Sequence, residues 1–419
     1  MKIKILITLQ VLLTMSTLFC NAQEQKLLYH EELTAEHEIH FSAQTKQVPI
    51  VGTLVSVDYS DGVFILRENR GTDQYGQTKT LWHIVDTTGT FLARNLNWDC
   101  MPYTLPVFNQ GCAINHNCGL TIIDKSGKTV CDLSKTYDFT GDKFVDGLAL
   151  AAGKQFREGS EAYYRISYIG TDGKVKFPNL TVKVSKWDVS REALQVAPVR
   201  DGLRRHYDFK TKKYGFINEQ GVYVIQPEYT AAHDFSEGMA AVLMTTDDGD
   251  KWGFIGTDGK TLIAPIFRIE PGDFHDSLAV VTKNTGWKTI MLRDGRYYNF
   301  DLKAVLDYNG GFTYFITHDS KQFIADTKLQ GIEVYASRHQ INLFGMERLK
   351  AIRDTSTPLN FDKGGIYTHA IMPYLYPPYG TFEYFGDGFF WFESNSADNE
   401  SGIIRADGER VMVFRKSEW

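Results

Sequence analysis

One motif recurs along this chain at intervals of about 40 residues, so the chain must fold as a series of like units rather than as one irregular domain. Its clearest copies are Lys213-Tyr214-Gly215-Phe216-Ile217-Asn218-Glu219-Gln220-Gly221 and Lys251-Trp252-Gly253-Phe254-Ile255-Gly256-Thr257-Asp258-Gly259. Each leads into an apolar stretch that meets a proline, Val224-Ile225-Gln226-Pro227 in the first and Leu262-Ile263-Ala264-Pro265 in the second. A second shared step follows, Phe235-Ser236-Glu237-Gly238-Met239-Ala240-Ala241-Val242 and Phe274-His275-Asp276-Ser277-Leu278-Ala279-Val280-Val281. Looser copies begin at Trp82, Gly119, Ile166 and Trp287, and a last one joins Phe385-Gly386-Asp387-Gly388 to Ile403-Ile404-Arg405-Ala406-Asp407-Gly408. The glycines that close the first turn, at 89, 127, 173, 221, 259 and 295, step by 36 to 48 residues.

The residues of one unit dictate its local structure. An aromatic with apolar residues at alternate positions, as in Trp252 and Phe254, suits a half-buried strand, and Thr257-Asp258-Gly259 supplies a turn of positive φ. Thr261, Leu262 and Ile263 make the return strand, which Pro265 stops because proline cannot donate to a sheet ladder. The glycine of the Phe-x-x-Gly step then permits a second sharp turn. One such unit buries too little apolar surface to be stable alone, so its aromatic face packs on its neighbours. The fold class expected is all-β, tandem β-hairpin repeats of about 40 residues, either closed as a propeller or stacked as an open β superhelix. A short inserted helix is expected within residues 332–353, where Ile341, Phe344 and Met346 with Leu349 and Ile352 give partial amphipathic spacing.

These residues resemble the WG-repeat (KWG-repeat) family of bacterial proteins. That pattern is an aromatic-Gly-[Phe/Tyr]-Ile-Asp-x-x-Gly-Lys segment, then Pro-x-[Tyr/Phe], then Phe-x-[Glu/Asp]-Gly-[Leu/Met]-Ala. The match is close from Lys213 to Val242 and from Lys251 to Val281, whereas His83 follows Trp82 and Ile169 follows Tyr168 where the pattern has glycine. The resemblance implies a β-rich tandem architecture and interaction with a protein or ligand, and it brings no catalytic residues with it.

Around the array, Lys2 and Lys4 precede an apolar run to Phe19 and the small residue Ala22, the pattern of a secretory signal peptide over residues 1–22. Cys20 admits a second reading as a lipidated cysteine, against which stands Phe19 in place of a small residue. The expected location is therefore periplasmic, cell-surface or extracellular, with no transmembrane segment in the mature chain. A polar segment follows over residues 23–47, then the repeat array over 48–300, divergent repeats with an inserted loop or helix over 301–379, and a terminal β-repeat over 380–419. A formal charge of −6, from 45 basic and 51 acidic residues without blocks of one sign, argues against a nucleic-acid partner.

Motifs that carry chemistry are few. Gly127-Lys128-Thr129 and Gly259-Lys260-Thr261 look like the end of a phosphate-binding loop, but the upstream glycine is misplaced in both and the pair recurs at Gly173-Lys174, which reads as a hairpin turn. His37 and His40 are three apart where a zinc-protease helix needs four, and Asp247, Asp248 and Asp250 lack the closing glutamate of a calcium loop. No cofactor or metal is expected. Cys100, Cys112, Cys118 and Cys131 could form two bridges in an oxidising compartment, and Cys112–Cys118 with Cys100–Cys131 is the pairing we expect. Tyr367, Tyr374, Tyr376 and Tyr379, in a proline-rich loop, are the candidate binding residues, with sealing of the array's end as the other reading. The chain is expected to be a non-catalytic binding or scaffold module for an unknown protein, peptide or cell-envelope component. A glycan-binding or carbohydrate-active protein on a propeller-like fold is the alternative.

Overall fold

The computed structural model describes residues 29–30, 46–47, 53–72, 78–98, 105–116, 119–190, 192–305, 312–327, 329, 331–333, 379–387, 389–394, 401–405 and 410–414. Strands make up most of them. Helix among the described residues is confined to the short 3-10 turns Pro178–Leu180, Lys186–Asp188 and Glu192–Leu194. The chain is all-β and built of antiparallel hairpin sheets, as the repeat predicts.

Two compact units emerge. The larger comprises residues 41–228, 378–405 and 409–419. Its first sheet is a meander of Thr53–Ser60, Val63–Thr72, Thr78–Asp86 and Phe91–Leu96. Cys112–Asn115, Thr121–Asp124 and Thr129–Asp132 form the second. The third contains Tyr137–Thr140, Leu148–Gly153 and the ten-residue Glu161–Gly170, which also pairs with Phe156–Glu158 and Val182–Ser185. Val199–Arg200, Leu203–Asp208, Lys213–Ile217 and Tyr223–Tyr229 form the fourth. The fifth runs from Tyr379–Gly386 to Arg410–Phe414, whose outer side takes Lys46–Gln47 in parallel.

The smaller unit comprises residues 1–40, 229–377 and 406–408 and holds two sheets. One contains Met239–Thr246, Gly249–Gly256 and Thr261–Phe267 with the short Ala231–Ala232 at its edge. The other begins with Leu278–Thr282 and Lys288–Leu292 and continues through Leu302–Val305, Phe312–Thr317, Gln322–Asp326 and Gly331–Glu333. Repeats illegible in the sequence beyond residue 300 are thus still strands as far as residue 333. Ile332 and Glu333, where the inserted helix was expected to begin, pair with Ile324 and Phe323. The backbone groups along Gln322–Asp326 need partners, and Gly331–Glu333 supplies them. Residues 334–353, the remainder of the expected helix, lie outside the described residues.

Two turn types recur. In the first, Asp86, Asp124 and Asn218 each accept from the backbone N–H groups two and four residues on, which folds the chain tightly into the return strand. Gly127-Lys128 and Gly259-Lys260 lie in these turns, with Gly127 and Gly259 at positive φ. The second is a two-residue hairpin with both residues at positive φ, the type I′ geometry that matches strand twist. It occurs at Asp61-Gly62, Gln110-Gly111, Asp146-Gly147, Asp201-Gly202, Glu237-Gly238 and Asp276-Ser277.

Side chains beside the second turn fasten one repeat to the next. Asp61 accepts from the Gly111 N–H at 2.7 Å, Asn109 from the Gly147 N–H at 3.0 Å, and Asp146 from the Val199 N–H at 2.7 Å. In the smaller unit Glu237 accepts from the Ser277 N–H at 2.8 Å. Cations reinforce three of these carboxylates: Lys125 at Asp61, Arg204 at Asp146 and Arg293 at Glu237.

Between the sheets lie the cores. Val63, Ile65, Trp82 and Ile84 pack on Phe108, Ala113 and Ile123. Ile114 and Ile122 pack on Phe144, Ala149 and Ile169, and Leu150, Ile166 and Tyr168 on Phe209 and Ile217. Trp252, Phe254 and Ile263 meet Phe274, Ala279 and Met291 in the smaller unit. Each large apolar side chain so buried stabilises by about 1.5–3 kcal/mol relative to exposure. Trp82, Phe216, Trp252 and Phe254 of the motif are therefore core residues, whereas Tyr214 and Trp287 are half-buried.

Candidate functional site

The third sheet departs most from the plain repeat. The glycine steps 127 to 173 and 173 to 221 are the longest, and their extra residues build Phe156–Glu158, Val182–Ser185 and the 3-10 turns that follow. Glu161–Gly170 is long enough to reach beyond its neighbours. Ala162 and Ile166 on one of its faces are buried and Tyr164 beside them is half-buried; on the other face Arg165 is exposed and Tyr163 is half-buried.

This outer face is a lattice of rings and cations. Phe156 sits directly across from Tyr163 with ring centroids 6.0 Å apart and planes inclined by 31°. Arg165 lies over the Phe156 ring at 4.7 Å and Lys183 over the Tyr163 ring at 4.2 Å. Arg165 and Lys183 occupy directly opposed positions on paired strands, and Ser185 opposes Tyr163. Just beyond, Trp187 is 80% exposed with Lys186 over its ring at 4.2 Å. Three acids stand nearby: Glu158, which pairs with Lys183, Glu161 directly across from it, and Asp188, which pairs with Lys212 at 2.9 Å.

Elsewhere, ionisable side chains are bound into the fold. Glu68, 1% exposed, takes Arg70 on both oxygens at 3.1 and 3.2 Å and His83 Nε2 at 2.8 Å. Because His83 Nδ1 accepts from the Asn95 N–H, Nε2 carries the proton, and burial holds this imidazole below the usual histidine range against the pull of Glu68. The buried Tyr168 hydroxyl meets His206 Nδ1 at 2.8 Å, and burial pushes that histidine down to about 4. His233 differs. Its Nδ1 faces Asp273 at 2.7 Å, its Nε2 faces Glu270 at 2.6 Å, and the Trp252 ring packs against it. Burial disfavours the imidazolium there, but the two carboxylates outweigh it and raise its pKa. Each of these clusters joins neighbouring strands or repeats and has the character of a fastening.

The expected site residues fall unevenly. Tyr367, Tyr374 and Tyr376 lie outside the described residues, and Tyr379 opens the strand Tyr379–Gly386. Cys112 and Cys131 are unbridged and flank Thr121–Asp124 on either side, half-buried against Ile114 and Leu133, while Cys100 and Cys118 lie outside the described residues. Burial and the nearby Asp124 and Asp61 push the Cys112 thiol up. Asp248 pairs with Lys251 at 3.1 Å, and no group of three metal-ligating side chains occurs among the described residues. His37 and His40 lie outside them. No helix among the described residues is long and apolar enough to cross a membrane. Sequence reasoning missed Phe156, Tyr163, Arg165, Lys183, Lys186 and Trp187. The stretched glycine spacing was the signal that an elaboration sits there.

The comparisons with known proteins bear on the fold. Residues 214–244 and 252–287 match the family described as WG containing repeat. No curated protein matches the chain. Among solved structures it is similar to a eukaryotic initiation factor at 12% identity and a TM-score of 0.39, over 90% of this chain and 91% of that one. It is similar to the β-propeller domain of the Trilobed protease from Pyrococcus furiosus at 11% identity and a TM-score of 0.27, over 65% of this chain and 93% of that one. Prolyl oligopeptidase B from Galerina marginata is similar at 9% identity and a TM-score of 0.30 over 65% of this chain, which spans only 45% of that enzyme. Likenesses this distant say nothing of activity. The chain carries WG repeats, at residues 214–244 and 252–287.

Proposed function

We propose that this chain is an exported, non-catalytic binding module that presents the outer face of its elaborated third sheet to a component of the cell envelope. The observation that carries this reading is the lattice of Phe156, Tyr163, Trp187 and their cations on that face. The exposed Trp187 ring brings the chain no core, whereas an exposed indole beside cations and half-buried rings suits recognition. The ionisable clusters at Glu68, His206 and His233 support the non-catalytic half of the reading, since each is engaged by its neighbours. Export rests on the signal-like first 22 residues and is checked by fractionating host cells.

The test is an affinity capture from host envelope extracts with the tagged chain and with a Trp187→Ala, Lys183→Gln variant. A component retained by the parent and lost by the variant is expected. Equal retention by both would remove this face from the function.

A further inference from the structure

We propose that His233 is a pH-operated clasp on the seam between the two sheets of the smaller unit, holding two carboxylates while its ring is charged and releasing one of them when it is not. The repeat itself does not call for a histidine there. The His233 N–H donates to the Ala241 carbonyl at 2.8 Å, and in the next copy Gly272 takes the same place, its N–H donating to the Val280 carbonyl at 2.7 Å. Each stands three residues before a turn residue, Ser236 or His275, that exchanges backbone bonds with Met239 or Leu278. The histidine is therefore an addition to the pattern, and what it adds is its ring.

That ring bridges the seam. Nδ1 faces Asp273 at 2.7 Å and Nε2 faces Glu270 at 2.6 Å. An ionised carboxylate only accepts, and a neutral imidazole has one N–H to give, so both contacts hold together only for the imidazolium. Burial works against that charge, but Asp273 and then Glu270 outweigh it. Asp234, next along the chain, is of the same sign as these two. From the strand Gly249–Gly256 the Trp252 ring packs against the imidazole with centroids 5.2 Å apart, and the neighbouring Lys251 pairs with Asp248 at 3.1 Å.

Loss of the proton leaves a nitrogen lone pair facing a carboxylate within hydrogen-bond distance, so one contact must open. Glu270 is the one that leaves. Its side chain is 63% exposed against 35% for Asp273, and water takes up its charge. Asp273 is fixed by its neighbours, Gly272 through its bond to Val280 and Phe274 through the core. The neutral ring thus keeps its proton on Nδ1, towards Asp273. The seam itself stays joined, because the Ser236 hydroxyl donates to the Phe274 carbonyl and Glu237 accepts from the Ser277 N–H in either state of His233. What loosens is the exposed arm Arg268-Ile269-Glu270 between the buried residues Phe267 and Pro271. Acid fastens this arm and alkali frees it.

The experiment follows the full chain by NMR, with isotopically labelled histidine and backbone, across the histidine range of about pH 5–8. His233, assigned by its loss in His233→Gln, should titrate above the unfolded value of about 6.5 and carry its proton on Nδ1 once neutral. Glu270→Gln should lower the midpoint by about half a unit, the worth of a partly exposed ion pair, and Asp273→Asn should lower it further. The Trp252 indole and the amides of residues 268–270 should shift with that midpoint in the parent and not in His233→Gln. A midpoint at or below about 6.5, or a neutral ring protonated on Nε2, overturns the clasp. So does a midpoint indifferent to Glu270→Gln, or an arm whose signals ignore the titration. The parent's own titration decides the matter even where a variant does not fold.

Discussion

The glycine after the aromatic of the motif answers to a backbone, not to a ligand. Across from Gly253 the return strand carries extra residues between Ile263 and Phe267, and this bulge settles onto the glycine. A Cβ at Gly253 would stand 2.7 Å from the Ile263 carbonyl oxygen and 2.9 Å from the Pro265 nitrogen, and at Gly215 the same atom would stand 2.6 Å from the Ile225 oxygen. Gly253→Ala should therefore cost about 1–3 kcal/mol of stability, read as a lower urea midpoint, without altering any surface. In the first sheet the equivalent residue is His83, whose bulge contains Asn95 rather than proline. Asn95 has an N–H to donate, and His83 accepts it. The departure from the motif at His83, plain in the sequence, is thus an exchange of glycine and proline for a matched acceptor and donor, but nothing in the sequence showed which residues face each other across the bulge. His233 gives a prediction of opposite character. Its pKa is raised in the folded chain, so the stabilisation it adds is complete below the unfolded histidine value of about 6.5 and fades as pH rises through the folded one. The stability gap between the parent and His233→Gln, from urea midpoints across that range, should be widest on the acid side and shrink upward. A gap that widened with pH would mean that Asp273 and Glu270 do not favour the imidazolium.

At the level of the hairpin, the acidic residue of the Phe-x-[Asp/Glu]-Gly step has a clear physical task. A type I′ turn holds that residue at positive φ and aims its carboxylate at the next repeat, where Gly111, Val199 or Ser277 donates a backbone N–H. The turns themselves were legible from the glycine spacing, since only a few residue types tolerate that backbone. The inter-repeat bonds were not, because they join residues some 40 to 53 positions apart whose approach depends on how sheets pack. Ser277 separates the two contributions. It holds φ at 68°, where other copies of the turn have glycine, yet its N–H still reaches Glu237. Ser277→Gly should stabilise by about 1 kcal/mol by removing the left-handed strain while keeping the bond. Glu237→Ala should destabilise by about 1–3 kcal/mol, because it leaves that N–H and Arg293 without their acceptor. Thermal melts of the two variants and of their double mutant measure both effects. The neighbouring rings of Phe156 and Tyr163 escaped notice for a related reason: only strand pairing sets them across from one another.

On the scale of the larger unit, repeats far apart in sequence share one core. Phe64, Leu66 and Val85 of the first sheet are buried together with Phe389, Ile403 and Met412 of the fifth. Phe389 lies 5.5 Å from the Phe64 ring, edge to face at 88°, and 5.6 Å from Tyr59. The Tyr59 hydroxyl donates to Asp387 at 2.6 Å, in the position of the turn acids that fasten neighbouring repeats elsewhere. The same fastening thus joins a late repeat to an early one, so the early sheet has a neighbour on each side: Phe389 against Phe64, and Phe108 against the face of Val63 and Ile65. An array in which each repeat touched only its neighbours in sequence would leave Phe64 and Leu66 exposed, and burying them requires the late sheet to be folded against the early one. Phe389→Ala should therefore destabilise by about 3–5 kcal/mol and act at a distance in sequence. Hydrogen exchange should show Val63–Thr72 losing protection along with Phe389–Ser394, whereas Leu148–Gly153, which shares no core with either, keeps more of its own. Loss of protection confined to residues 389–394 would show that the early sheet stands without its late partner, and the shared core would then be a contact rather than a condition of folding.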